Sequence, residues 1–587
     1  MVGMLRVCFE AQVANYTTKS EGSRRSRSTP GTKVEDVFGK GIHSPEDRRF
    51  AGLAAAVVDD LLARDPARAT RVGDHRFDDR LPDPSGDGTD EYARVLQRHA
   101  TFLGSVDARA LSRVAAADLA VLRSGVAARL FDMTKIRPHL WNPLVWNPSE
   151  ALYTLISREF APAPERAQSL ISRLNGVPEL LENSRHTLGE MPAVHVDTAI
   201  ARFGAIAPML AEMPADVAEV PGVAAAVADA ITAIDDQIDW LRSQLSTARL
   251  TPALGPELYA GVLQYHLDSA PDPDLLLADA EDSLEEVLDG LASASAKYLR
   301  GSMADRSVIP KALNRLDRDD AIGGDILELS EKALEAASEF VAERDLVTIP
   351  DIDIRIEFMP AVRRGVFPIH CNAPGPMEQV PLPTILGVAP RPGDSATVGY
   401  AWHHREYSRQ LVHNLMAHVG VPGHALQQAR AREATAPSVA RAALPSGLFV
   451  EGWAVYAEEL MAQSGFTVPG EEQSALQIQQ LRMRLRSIIS TILDVRVHTR
   501  GMTEAEGRRL LATRGFLSDV EIPGTWRRAQ TTYGRLSAYF LGHRQVTDIV
   551  EAVAQKQRMW SIRQVHDAVL AHGSVPPRVL PSLVGLE

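Results

Sequence analysis

Three histidines and a proline-glycine pair stand together in LVHNLMAHVGVPGHALQQ, Leu411 to Gln428. His413, His418 and His424 fall within twelve residues, and His403 and His404 lie just upstream. Five of the chain's 17 histidines therefore occupy 22 residues, where even spacing would put fewer than one. Twenty-seven residues after His424, an apolar run carries carboxylates: Glu451-Gly452-Trp453-Ala454-Val455-Tyr456-Ala457-Glu458. Imidazoles followed by a helix-borne carboxylate are donors that zinc accepts, and a hydrolytic zinc keeps one position open for water.

The common helical device places two histidines at i and i+4, with a glutamate beside the first as general base. Here His418 and His424 are six apart, roughly 120° off-face on an ideal helix. Pro422 removes a backbone donor and Gly423 permits unusual dihedrals, so a bend between them can return His424 toward His418. Glu451 and Glu458, seven apart, share a helix face. Asp494 and His498, at i and i+4, are spaced to hydrogen-bond one another.

The surrounding elements read as helical. A helix begins near Ser44-Pro45-Glu46-Asp47, with an early proline and acids in the first turn. Helical spacing recurs over 50–62, 89–131, 150–158, 164–188 (interrupted at Pro178), 196–213, 223–245, 257–267, 272–299 and 326–345. The stretch 137–149, RPHLWNPLVWNPS, is a Pro/Trp-rich loop for packing between helices or for a substrate wall. From 346 to 400 the texture changes to short β-like runs, LVTI, IRIEFM and VFPIHC, split by Pro and Gly. Helices return from Trp402, including 473–497, 503–513, 526–549 and 561–571. The expected fold class is mainly α with a small β/loop insertion. Four parts follow: a disordered tail at 1–43, a helical part at 44–345, a strand and loop region at 346–400, and a helical part at 401–587 that carries the motif residues.

Bulk composition narrows the function. The 587 residues are 45% hydrophobic and 23% charged, as in an ordinary globular protein. A net charge of −13 with scattered basic residues argues against nucleic acid. Two cysteines, Cys8 and Cys371, exclude a Cys-rich zinc site. No run of about 18 apolar residues suggests a membrane span, so a cytoplasmic location is the default.

The chain resembles the bacterial DUF885 family, which is itself similar to zinc metallopeptidases of the gluzincin kind. The family's hallmark runs roughly His-Glu-x-x-Pro-Gly-His-His-x-Gln, then Glu-Gly-Trp-Ala-x-Tyr-x-Glu. This chain reads His418-Val419-Gly420-Val421-Pro422-Gly423-His424-Ala425-Leu426-Gln427, then Glu451 to Glu458. Arg405-Glu406-Tyr407, Asp494 to His498 with Gly501-Met502-Thr503, and Tyr539-Phe540-Leu541-Gly542 also resemble family segments. So do Asn147-Pro148 and the segment from Arg166 to Leu181. The resemblance spans about residues 45 to 575 and implies a large zincin-like helical body.

Two departures matter. Val419 replaces the glutamate that would activate water, and loss of such a base costs at least ~10²-fold in a hydrolytic step. Ala425 replaces the second of two adjacent histidines. The resemblance still implies a site for Zn2+ or another divalent metal at His418, His424 and Glu451, with Glu458 as a further ligand or a support. Glu406 is the expected substitute base, with His404 and His413 nearby. His498 and Tyr539 are expected to stabilise an oxyanion or bind a substrate carboxylate. Tyr456 and Trp453 read as packing. The implied activity is peptidase- or amidase-like hydrolysis of a peptide or small molecule. Two alternatives stand beside it: a divergent member using the pocket for binding or another reaction, possible in specialised metabolism, and a helical scaffold without an active site.

Overall fold

The computed structural model describes residues 44–586, except 84, 302–304, 320–324, 361–362, 365–367, 391–407, 436–437 and 469. The tail expected at 1–43 therefore lies outside the described residues.

The helices that frame the site are numbered in chain order. Helix α1, Pro45–Arg64, begins where the sequence signals it. Ser44 Oγ accepts from Asp47 N at 3.0 Å, and Asp47 returns the bond to Ser44 N. Helix α2 is Arg113–Phe131 and α3 is Ala163–Thr187. Pro178 does not interrupt α3 as expected. The buried stripe Leu170, Leu174, Val177 and Leu181 packs on both sides of the proline, and this burial offsets the lost backbone bond. The Pro/Trp loop is packing: Trp146 is buried and donates to His139 O at 3.1 Å. Helices α4, Pro273–Tyr298, and α5, Ile326–Glu343, follow.

The β insertion is a three-stranded sheet in the order β1-β3-β2, with β1 Ile354–Phe358, β2 Ile369–Asn372 and β3 Thr384–Val388. β1 runs parallel to β3 with Ile354 opposite Thr384, and β2 runs antiparallel with Ile369 opposite Val388. The sheet corrects the sequence reading in two places. LVTI, 346–349, is not a strand; Leu346 and Val347 are buried as packing residues. The central strand is instead TILGV, whose glycine and flanking prolines hid it.

Then come α6, Arg409–Val419, α7, His424–Thr435, α8, Gly447–Gln463, and α9, Gln473–Arg500. The single helix expected over 526–549 is two: α10, Glu521–Thr531, and α11, Ser537–Lys556. Gly534, at φ 71°, turns the chain between them. Helix α12 is Ile562–Leu570. One apolar cluster joins Leu62 of α1 and Leu122 of α2 to Val421, Trp453 of α8 and Val569 of α12, so the first and last helices share a core. Among the described residues no helix is long and apolar enough to cross a membrane.

Candidate metal centre

Helix α6 starts at Ser408, whose Oγ accepts from Leu411 N at 3.2 Å, and stops at Gly420. The next residues make the bend that the sequence anticipates. The Val421–Pro422 peptide is cis, and α7 begins at His424. Only glycine fits at 423, because a Cβ there would stand 1.8 Å from His418 O and 2.4 Å from Ala417 O. Trp453 Nε1 donates to Pro422 O at 2.8 Å, which ties the bend to α8. The bend brings the rings of His418 and His424 to a centroid distance of 4.8 Å, nearly perpendicular.

Glu451 joins them from α8. One ligating atom from each of His418, His424 and Glu451 lies within 4.8 Å of the other two. Glu451 Oε2 is 3.5 Å from His424 Nε2. Two ligands on a tetrahedral zinc, each bonded at ~2.0–2.1 Å, stand about 3.4 Å apart. That pair is already at ligand spacing, and His418 needs a small ring movement to match it. Burial pushes the Glu451 carboxyl up. The His424 hydrogen bond and charge, then the charges of His418 and Arg535, outweigh this and hold it down at about 2.

Glu458, named in sequence with the metal donors, stands behind His418. Its Oε1 accepts from His418 Nδ1 at 2.6 Å, and its Oε2 accepts from Asn414 Nδ2. With Glu458 accepting from Nδ1, His418 carries a proton there, and Nε2 is the nitrogen left for a metal. Burial would lower the His418 pKa, but its bond and attraction to Glu458 raise it. Asn414 was missed in sequence; it lies one helical turn before His418 on the same face, which is the signal that could have found it.

The other expected residues separate. Glu406 and His404 lie outside the described residues. His413 is buried and donates Nδ1–H to Arg409 O at 2.8 Å, within its own helix. Val419 is buried in an apolar cluster with Leu415 and Met416 of α6, Leu386 and Val388 of β3 and Ile369 of β2. Ala425 is fully buried. Tyr456 packs as expected, its hydroxyl donating to His566 Nε2 at 2.8 Å.

His498 and Asp494 do not pair as their spacing suggests; the nearest nitrogen–oxygen distance is 3.9 Å. His498 Nε2–H points at two carbonyls, Thr532 O at 2.8 Å and Ala529 O at 3.1 Å. Asp494 accepts from Gly534 N, Ser537 N, Ser537 Oγ and Tyr259 OH at 2.8 to 3.2 Å. Together they clamp the turn between α10 and α11. The first turn of α11 carries Tyr539, and α11 crosses α8 at bare backbone. A Cβ on Gly452 would stand 2.4 Å from Gly542 O, and one on Gly542 would stand 2.3 Å from Leu448 O. Tyr539, one turn before Gly542, is thereby brought beside Glu451, the neighbour of Gly452. Burial and then the Glu451 charge push the Tyr539 hydroxyl up, against Arg528 and Arg535, so it remains a proton donor. Arg528 Nη2 donates to Tyr539 OH at 3.3 Å. Arg528 and Arg535 carried no signal in the sequence.

Comparison with known proteins bears on the fold. The family model described as bacterial protein of unknown function (DUF885) matches residues 66–584. No curated protein is detectably similar. A protein of unknown function from Shewanella oneidensis, provisionally described as a lipoprotein, superposes with a TM-score of 0.74 at 24% identity, over 92% of this chain and 100% of its own. One from Colwellia psychrerythraea, given the same provisional description, superposes at 0.78 and 15% identity, over 93% and 99%. At these identities the likeness shows a shared fold.

Proposed function

The chain belongs to the DUF885 family of bacterial proteins, and on that premise we propose that it is a metal-dependent, hydrolase-type enzyme with its centre at His418, His424 and Glu451. The observation that carries this reading is the hydrogen bond from His418 Nδ1 to the buried Glu458. Ligating histidines characteristically give their other nitrogen to a carboxylate, which fixes the ring and raises its basicity.

The proposed ion is zinc, the metal best suited to a two-histidine, one-carboxylate set with an open position. Bound there, it would supply a Lewis acid for a substrate carbonyl. The protein's own groups have separate tasks. Glu458 and Asn414 hold His418 in its tautomer, and Glu451 remains ionised. The protonated Tyr539 hydroxyl donates to oxygen charge developing on the Glu451 side. The substrate class is a peptide or other small amide.

A second reading is favoured by Val419. Its side chain lies in the apolar cluster between α6 and the sheet, so the position that the family resemblance gives to a base is here a packing position. On that reading the pocket binds its ligand or serves a reaction that needs no base at 419.

Metal analysis tests the centre. Purified protein should hold zinc near one equivalent, and His418→Ala and Glu451→Ala should lose it while remaining folded. Absence of metal from the unmodified chain after zinc exposure would leave the scaffold reading. Turnover of an amide library by the zinc-loaded chain then separates the hydrolase from the binding protein.

A further inference from the structure

Strand β1, IRIEF, ends one side of the sheet, and among the described residues only β3 pairs with it. Thr384 N donates to Asp353 O at 2.8 Å and Met359 N donates to Val388 O at 2.7 Å, at the two ends of that pairing. Alternate residues carry the bonds of a parallel ladder, so Asp353, Arg355, Glu357 and Met359 turn their backbone groups toward β3. Ile354, Ile356 and Phe358 therefore turn theirs away from the sheet. The side chains of Ile354 and Ile356 pack on the apolar cluster of α5, α6 and the sheet. Arg355 and Glu357 stand exposed on the other face, and Phe358 is 49% exposed at the end of the strand. Arg355 reaches only the exposed Asp353, at 3.2 Å, and Glu357 makes no ion pair among the described residues.

We propose that β1 is the contact of a homodimer, in which the edge strands of two copies pair antiparallel about Ile356 and join the two sheets into one. In that register Ile356 faces Ile356 of the second copy, and Ile354 faces Phe358. These are the residues with outward backbone groups, so they form the hydrogen-bonded pairs. Arg355 then faces Glu357 of the second copy at the non-hydrogen-bonded positions, where Cα atoms stand only about 4.5 Å apart and opposite charges attract. The exposed Phe358 ring is covered by Ile354 of the second copy. A shift of the partner by two residues sets Arg355 against Arg355 or Glu357 against Glu357, so charge selects the one register. An edge strand guarded against pairing needs no such two-fold match of signs. The inference does not depend on the proposed metal centre.

One strand pair is smaller than a permanent interface, so the dimer should dissociate reversibly, over roughly 1–100 µM of full chain in low salt. Analytical ultracentrifugation across that range reads it. Arg355→Glu leaves only acids at the two positions and Glu357→Arg leaves only bases. Each variant alone should dimerise about tenfold more weakly or worse, with an unchanged melting temperature because both side chains are exposed. Mixed one to one, the two variants should associate with each other as tightly as the unmodified chain does with itself. The double variant, Arg355→Glu with Glu357→Arg, should dimerise again. A chain that stays monomeric throughout the range would overturn the proposal. So would a dimer that neither single variant weakens, or single variants that fail to recombine on mixing.

Discussion

Glu458 and His418 are joined by a 2.6 Å hydrogen bond from Nδ1 to Oε1, with Asn414 on the carboxylate's other oxygen. The bond links α8 to α6 and fixes which imidazole nitrogen faces His424 and Glu451. Glu458→Gln keeps the size of the side chain but removes its charge. Zinc affinity, measured by competition with a chromogenic chelator, should fall about 10–100-fold with all three ligands intact. Unchanged affinity would mean that Glu458 does not tune the site.

The bend is equally specific. Gly423→Ala puts a methyl into the carbonyls of His418 and Ala417. The start of α7 must move, and His424 moves with it. Thermal or urea unfolding should show a loss of more than about 1 kcal/mol, and zinc should be lost or weakened in whatever folds.

Val419→Glu tests the packing role of position 419. A carboxylate replacing the valine among Leu386, Val388 and Leu415 should cost about 3 kcal/mol in urea unfolding, without a gain in peptide hydrolysis. A variant of native stability that cleaves peptides would mean that the new carboxylate turns out of the cluster toward His418.

Asp494→Asn tests the clamp on the α10–α11 turn. An amide supplies one oxygen where the carboxylate gives two, and its NH2 would face the donors of Gly534 or Ser537. A loss of roughly 2 kcal/mol is expected.

His75 predicts a pH dependence far from the metal centre. Its ring stacks on Phe160 with centroids 3.8 Å apart and bonds Asp78 at 2.8 Å and Glu378 at 3.1 Å, tying the turn after Val72 to the segment before β3. Burial lowers its pKa, but the bonds and charges of Asp78 and Glu378 more than reverse this, raising it from 6.5 to about 9. A raised histidine stabilises the folded chain fully below its unfolded pKa, and that contribution is lost as pH climbs from about 6.5 to about 9. Urea unfolding at pH 6 and pH 9.5 should show His75→Gln costing on the order of 1–2 kcal/mol more at the lower pH. An equal cost at both would show that folding does not raise the His75 pKa.

The sequence by itself determined the class of the fold, the start of α1 and the bend at Pro422-Gly423, and it named the trio His418, His424 and Glu451 that the bend brings together. Each is written locally: a capping residue with its acid, an apolar period, a residue pair that breaks a helix, donor types clustered in few positions. Tertiary structure decided what depended on partners distant in the chain. The central strand TILGV shows only through its neighbours β1 and β2. Pro178 sits inside a helix because the apolar stripe on either side of it is buried. The break in 526–549 follows from Asp494 gathering donors some forty residues away. Glu458 becomes a support because α8 packs it against Nδ1 of His418. Spacing along a chain says which residues can share a face; which nitrogen, oxygen or charge meets which is set by helices crossing.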